Sequence, residues 1–225
     1  MSFLPLHITM KAALCALALS GLASAFPAIQ QRNANFDDLN AGTGVTSLTP
    51  VPDPYMGLDF DGFNVINVGN AVTGVKPQSG KQVGVQYILT TGKDNTANLK
   101  TTGDTKYFVC NDPSHPASWA SITDIDRQVF QEFYFGCVLS SQETLAGVPT
   151  SCALTLTGKR NGRTVVTQDV NFSGGLANGV TKNMKRVLFD GRFTAVDEVS
   201  FELTSNLAAA TSVLYDNVRY VTYSS

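Results

Sequence analysis

CALTLTGKRNGRTVVTQDVNF, residues 152–172, is the stretch that decides the fold class. From Cys152 to Thr157 apolar and polar residues alternate, which sends one face into a core and the other into water. A second β-rich run, Arg163 to Phe172, follows KRNGR. Asn161-Gly162 lies between the two. That dipeptide is a strong hairpin signal, because both central residues of a type I′ turn need positive φ. Two antiparallel strands and a tight turn are therefore written into twenty-one residues.

The same pattern recurs outward in both directions. Phe60 to Val68, Val83 to Thr90, Lys106 to Cys110 and Phe130 to Leu139 read as strands, as do Met184 to Phe189, Val196 to Leu203 and Ser212 to Tyr223. Val83, Val85, Tyr87 and Leu89 share a face, and Val199, Phe201 and Leu203 alternate with Ser200, Glu202 and Thr204. Clusters of Gly, Asn, Asp and Pro separate the runs, which is the all-β signature. No stretch of about a dozen residues keeps a helical period. About ten strands without intervening helices predict an all-β fold: two packed antiparallel sheets, a β-sandwich of the jelly-roll kind. Tyr134 and Phe135 are expected in its core.

Three segments are expected along the chain. MKAALCALALSGLASA (10–25) has a lysine, a short apolar run and an A-x-A end, so residues 1–25 read as a secretory signal peptide. Residues 26–34 (FPAIQQRNA) read as a loose leader, and 35–225 as one β-sandwich domain. The apolar run is too short to span a membrane. The segment after Ala25 holds 15 basic and 18 acidic residues, a net charge of 15 − 18 = −3 with histidine neutral. It has no basic stripe for nucleic acid and no amphipathic basic helix for a membrane surface. The expected product is a secreted, extracellular monomer.

Cys110, Cys137 and Cys152 remain in that segment. An odd number in an oxidising compartment predicts one disulfide and one leftover thiol. Cys137–Cys152 is the favoured pair, since the two flank a loop carrying Gly147 and Pro149. Cys110–Cys137 is the other.

Four motifs resemble a known group. NFDDL (35–39), PDPYMGLDFDGF (52–63), FYFGC (133–137) and DNV (216–218) occur in that order. Together they resemble a family of fungal small secreted proteins, mostly uncharacterised, with a galactose-binding or carbohydrate-binding-module-like jelly roll. The resemblance implies a fold and a compartment and no activity. In jelly rolls of that kind the first and last strands often lie side by side, and an acid from each shares a calcium ion with backbone carbonyls. Asp37 or Asp38, with Asp216, match that arrangement and form the candidate structural calcium site. Turn amides and nearby Arg219 are the other partners open to Asp216. Asp59 and Asp61 flank Phe60 and read as solvent-facing.

Chemistry beyond that is sparse. His115 stands in a proline-bounded loop without a serine elbow. Asp124, Asp126 and Glu132 are carboxylates whose spacing in space the sequence does not give. Trp119 and Tyr55 fall outside the alternating pattern and are the candidate sugar-stacking aromatics. Asn171-Phe172-Ser173 is a glycosylation sequon, which predicts an exposed Asn171. The leading expectation is a non-catalytic extracellular binding module that touches a polysaccharide or a host or cell-wall surface. A polysaccharide lyase or hydrolase on the same scaffold is the alternative, and a structural wall or adhesion protein the third.

Overall fold

In the computed structural model the 152–172 hairpin forms as its sequence dictates. Asn161 and Gly162 take φ of 50° and 72°, and the flanking strands pair antiparallel. The structure describes residues 29–42, 48–69, 74–88, 96–101, 105–109, 132–139, 147–175, 181–193, 196–205 and 211–224.

Sixteen strands occur among the described residues. They are β1 (Ile29–Ala34), β2 (Thr49–Pro50), β3 (Leu58–Asp61), β4 (Asn64–Asn67), β5 (Gly74–Lys76), β6 (Gln82–Ile88), β7 (Thr96–Thr101) and β8 (Thr105–Val109), then β9 (Glu132–Leu139), β10 (Cys152–Arg160), β11 (Arg163–Phe172), β12 (Thr181–Asn183), β13 (Lys185–Leu188), β14 (Glu198–Leu203), β15 (Thr211–Asp216) and β16 (Val218–Ser224). A five-stranded sheet, β11-β10-β14-β7-β3, faces a six-stranded one, β13-β9-β15-β6-β4-β2. Both are antiparallel throughout. A three-stranded sheet, β1-β16-β8, and a parallel pair, β12-β5, complete the fold.

Aromatic rings fasten the two large sheets. Phe201 on β14 meets Phe133 on β9 at 5.5 Å and Tyr215 on β15 at 5.4 Å between ring centroids. Burying each such side chain stabilises the fold by about 1.5–3 kcal/mol. Two polar groups cross the same interior. The Tyr215 hydroxyl donates to Gln86 Oε1 at 2.7 Å, and Gln86 Nε2 donates to the Phe201 carbonyl at 3.2 Å. Buried polar atoms are tolerated when answered in this way. Phe36 enters the core over Gly84, where a Cβ would sit 2.6 Å from the Phe36 ring, so the ring needs a residue with no side chain there.

Several strand expectations differ from the structure. Residues 29–34 are no loose leader, because they form β1 and pair along their whole length with β16. The run 60–68 is two strands, β3 and β4, broken at Gly62 with φ of 80° and placed in opposite large sheets. The run 212–223 is likewise two strands, β15 and β16, broken at Asn217 with φ of 48°.

Side chains bridge β11 and β13, the outer strands of the two large sheets. Gln168 Nε2 donates to the Leu188 carbonyl at 2.9 Å, and the Asp190 amide donates to Gln168 Oε1 at 2.8 Å. Lys185 Nζ donates to both the carbonyl and Oδ1 of Asn171, at 2.6 and 2.9 Å.

Cys137 on β9 and Cys152 on β10 form a disulfide with Cα atoms 6.2 Å apart, as expected from the sequence. It ties a strand of the six-stranded sheet to one of the five-stranded sheet. Cys110 lies outside the described residues. Closing a loop with a sequence separation of 15 is worth about 3 kcal/mol. The Cys137→Ser/Cys152→Ser double variant is expected to lose about that much in urea unfolding monitored by tyrosine and tryptophan fluorescence.

Candidate functional site

The seam between β1 and β16 collects the acids that the sequence singles out. Asn33 pairs with Arg219 and Ala34 with Val218. The chain then turns at Phe36, whose φ of 62° is unusual for a bulky residue, and delivers Asp37 beside residues 79–82. Asp216, the last residue of β15, is fully buried. Its Oδ2 accepts from the amides of Gln78 and Ser79, both at 2.8 Å, and its Oδ1 from the Asn217 amide at 2.7 Å. Asp37 Oδ1 accepts from the amides of Lys81 and Gln82 at 2.9 and 3.2 Å. Gly80 lies under that carboxylate, where any Cβ would collide with it.

Ser79 Oγ stands at the centre of the seam. It lies 3.1 Å from Asp37 Oδ2, 3.2 Å from Asp216 Oδ1 and 3.5 Å from Asn217 Oδ1. A hydroxyl has one hydrogen, so Ser79 can answer only one of these three oxygens at a time. Asn33 Nδ2 offers Asn217 Oδ1 one donor at 3.2 Å. An oxygen-rich centre of this kind suits either an extra proton or a hard cation, which takes carboxylate, amide and hydroxyl oxygens. No three His, Cys, Asp or Glu side chains cluster as a ligand set among the described residues. Burial pushes the Asp216 carboxyl up to about 6 against the lowering effect of its amide donors.

Asp38 has a different partner. Tyr55 donates its hydroxyl hydrogen to Asp38 Oδ1 at 2.6 Å and accepts from the Phe36 amide at 3.2 Å. Tyr55 is buried against Phe36 and Phe60. This corrects its reading as an exposed sugar platform, since a residue this enclosed has no face to offer a ligand. Burial, with the Asp38 hydrogen bond second, raises its hydroxyl above the usual tyrosine range. Arg219 pairs with Glu132 at 3.0 Å. Trp119, His115, Asp124 and Asp126 lie outside the described residues. Asn171 is exposed on β11, as its sequon predicts.

A second cluster occupies the outer face of the six-stranded sheet. On β9, Phe133 points at Phe201 in the opposite sheet, so Glu132 and Tyr134, one residue out of phase, point away. Tyr134 stands in register with Arg186 on β13 and with Asp216 on β15. Glu132, with its side chain 4% exposed, is clamped between Arg186 Nε and Arg219 Nη1, the latter at 3.0 Å. The Arg186 guanidinium is raised above its usual value, first by its Glu132 hydrogen bond. Tyr134 is partly buried and packs against the core cluster from its margin, whereas Phe135 is fully inside it. The signal for this was available, because Tyr134 is in phase with a carboxylate at Glu132.

The outer face of the five-stranded sheet has another character. Asp61, Asn98, Ser200, Thr157 and Thr167 run straight across it in register. Lys100 pairs with Asp61 at 3.0 Å and Lys159 with Glu198 at 2.6 Å. Asp59, Asp169 and Glu202 add three further acids to the same face, for 2 − 5 = −3 over these seven side chains. Asp61 is exposed and Asp59 half-buried, facing outward as expected.

No family model matches the chain, and no curated protein matches it. Solved structures with a similar outline include a DUF4465 family protein from Bacteroides caccae, at 12% identity and TM-score 0.46 over 90% of this chain and 96% of that one. The CBM22-1 xylan-binding domain from Paenibacillus barcinonensis aligns at 15% identity and TM-score 0.37 over 90% of this chain and 98% of that one. A cyclase from Fischerella sp. aligns at 11% identity and TM-score 0.41, over 86% and 98% of the two chains.

The seam has a pH dependence with a definite sign. In EDTA, folded Asp216 keeps its proton up to about pH 6, whereas an unfolded aspartate releases it near pH ~3.9. The stabilisation from that proton is complete below the unfolded value and is lost as pH rises through the folded one. The stability of the wild type minus that of Asp216→Asn is expected to fall by about 3 kcal/mol from acid to neutral pH. Urea unfolding of both proteins across that range measures it. A flat difference would mean that Asp216 stays ionised throughout.

Proposed function

We propose that this protein is a secreted, non-catalytic β-sandwich that binds polysaccharide at the β13–β9 margin of its six-stranded sheet, on the side facing away from the core. The observation that carries the reading is the registered pair Arg186–Tyr134, exposed and partly exposed, with Glu132 buried beneath two guanidiniums. A partly exposed ring offers an apolar face to the C–H side of a sugar. An arginine beside it supplies planar, directional donors for hydroxyls. The carboxylate below fixes the guanidinium orientation, so little freedom is lost on binding. Secretion is supported by the A-x-A segment and by the Cys137–Cys152 bridge, a bond at home in oxidising compartments. Asn171 is the site at which secretion would add a glycan.

A structural calcium ion belongs to the same proposal. Asp37, Asp216, Asn217 and Ser79 would hold it, and it would stabilise the native state by binding that state alone. Thermal melting with EDTA against added calcium tests this. Calcium should raise the midpoint of the wild type and leave Asp216→Ala unchanged. An identical midpoint in both buffers would assign the seam to protons and amides alone.

Binding is tested by retention of the purified protein on a panel of insoluble and gel-embedded polysaccharides. Retention on at least one glycan is expected, with loss in Tyr134→Ala at a temperature well below that variant's own melting midpoint. Passage of the wild type through every glycan unretarded would sink the reading.

A further inference from the structure

Resting on that binding reading, we infer that the face takes an acidic glycan, one carrying uronate carboxylates or sulfate esters. Two guanidiniums share a single carboxylate at Glu132, so the cluster keeps a charge of 2 − 1 = +1. Arg186 spends Nε on Glu132, its side chain is 51% exposed, and its terminal amino groups have no partner among the described residues. A guanidinium held by Nε presents its outer edge as a two-pronged donor, the geometry that matches a carboxylate or sulfate oxygen pair.

The nearest other charges are turned away from this edge. Asp216, next in the row, is fully buried and turned to its amide donors. Lys185, the neighbour of Arg186 on β13, points the other way and is engaged by Asn171 on β11. Leu188, opposite Glu132 on β9, is 55% exposed and gives a sugar ring an apolar contact beside the guanidinium. The outer face of the five-stranded sheet is acidic instead. A polyanion is therefore repelled from one side of the sandwich and drawn to the other.

Affinity electrophoresis of the full chain in gels containing polygalacturonate, a sulfated galactan or neutral xylan tests this. The first two separate carboxylate from sulfate recognition. At low salt the protein should be retarded about tenfold more strongly by at least one acidic polymer than by xylan, with retardation falling as salt is raised. Arg186→Gln should lose about tenfold in affinity, the loss of one charge-assisted paired contact. Arg186→Lys should keep the salt dependence but not the full affinity. Glu132 retains Arg219 in both variants, and equal melting midpoints establish that they fold. Equal, salt-independent retardation by xylan overturns the acidic preference and leaves polysaccharide binding standing. No retardation by any polymer removes both. Undiminished binding by Arg186→Gln overturns the placement at this edge.

Discussion

A buried carboxylate holds the parts of this molecule in register. Asp216 ends β15, an interior strand of the six-stranded sheet, and one residue later the chain enters β16 in another sheet. Asn217 makes that change by taking a left-handed conformation, which asparagine tolerates better than most residues. The amides of Gln78, Ser79 and Asn217 converge on Asp216, so the turn is tied to the loop before β6. Removing the carboxylate would leave the buried Asn217 amide unanswered, at about 1–3 kcal/mol, and free the part-buried Gln78 and Ser79 amides from the turn. The acid in an otherwise apolar run is thus the residue that lets one continuous stretch serve two sheets.

The core follows from that junction. Tyr215, adjacent to Asp216, meets Phe63, Phe133 and Phe201. The ring series continues through Phe60 to Phe36, whose backbone amide binds Tyr55 and whose neighbour Asp37 returns to Ser79. Aromatic packing and the polar seam therefore form one closed path, and strain at either reaches the other. The positive φ of Phe36 is held at the point where the path turns from seam to core.

The sequence discloses some of this and conceals the rest for physical reasons. The β10–β11 hairpin is legible because alternation and Asn-Gly turn chemistry agree. The disulfide is legible because its cysteines bracket one loop between two strands. β1 is not, since IQQRNA has little apolar alternation. Gln30, Gln31 and Asn33 are exposed, and the strand is held by backbone pairing with β16 rather than by a buried face. The break at Asn217 is hidden because all six residues of β15 are buried, so periodicity shows no interruption. Tyr55 misleads in the opposite direction. It lies outside any strand pattern, yet the Met56-Gly57 turn folds it back under Phe36. Tyr134 is half legible: its phase with Glu132 marks the outer face, while an apolar neighbourhood suggests the core.

The side-chain bridges between β11 and β13 have a consequence for how copies of this protein meet. An edge strand normally offers unpaired carbonyls and amides to any passing strand, which is how sheets from separate molecules fuse. Here the Leu188 and Asn171 carbonyls are already occupied by Gln168 and Lys185. The lysine also brings a charge that a growing sheet would have to bury. Two acceptors on this margin are thereby withheld from intermolecular strand pairing, and a charge stands beside one of them, without the chain having to complete a barrel.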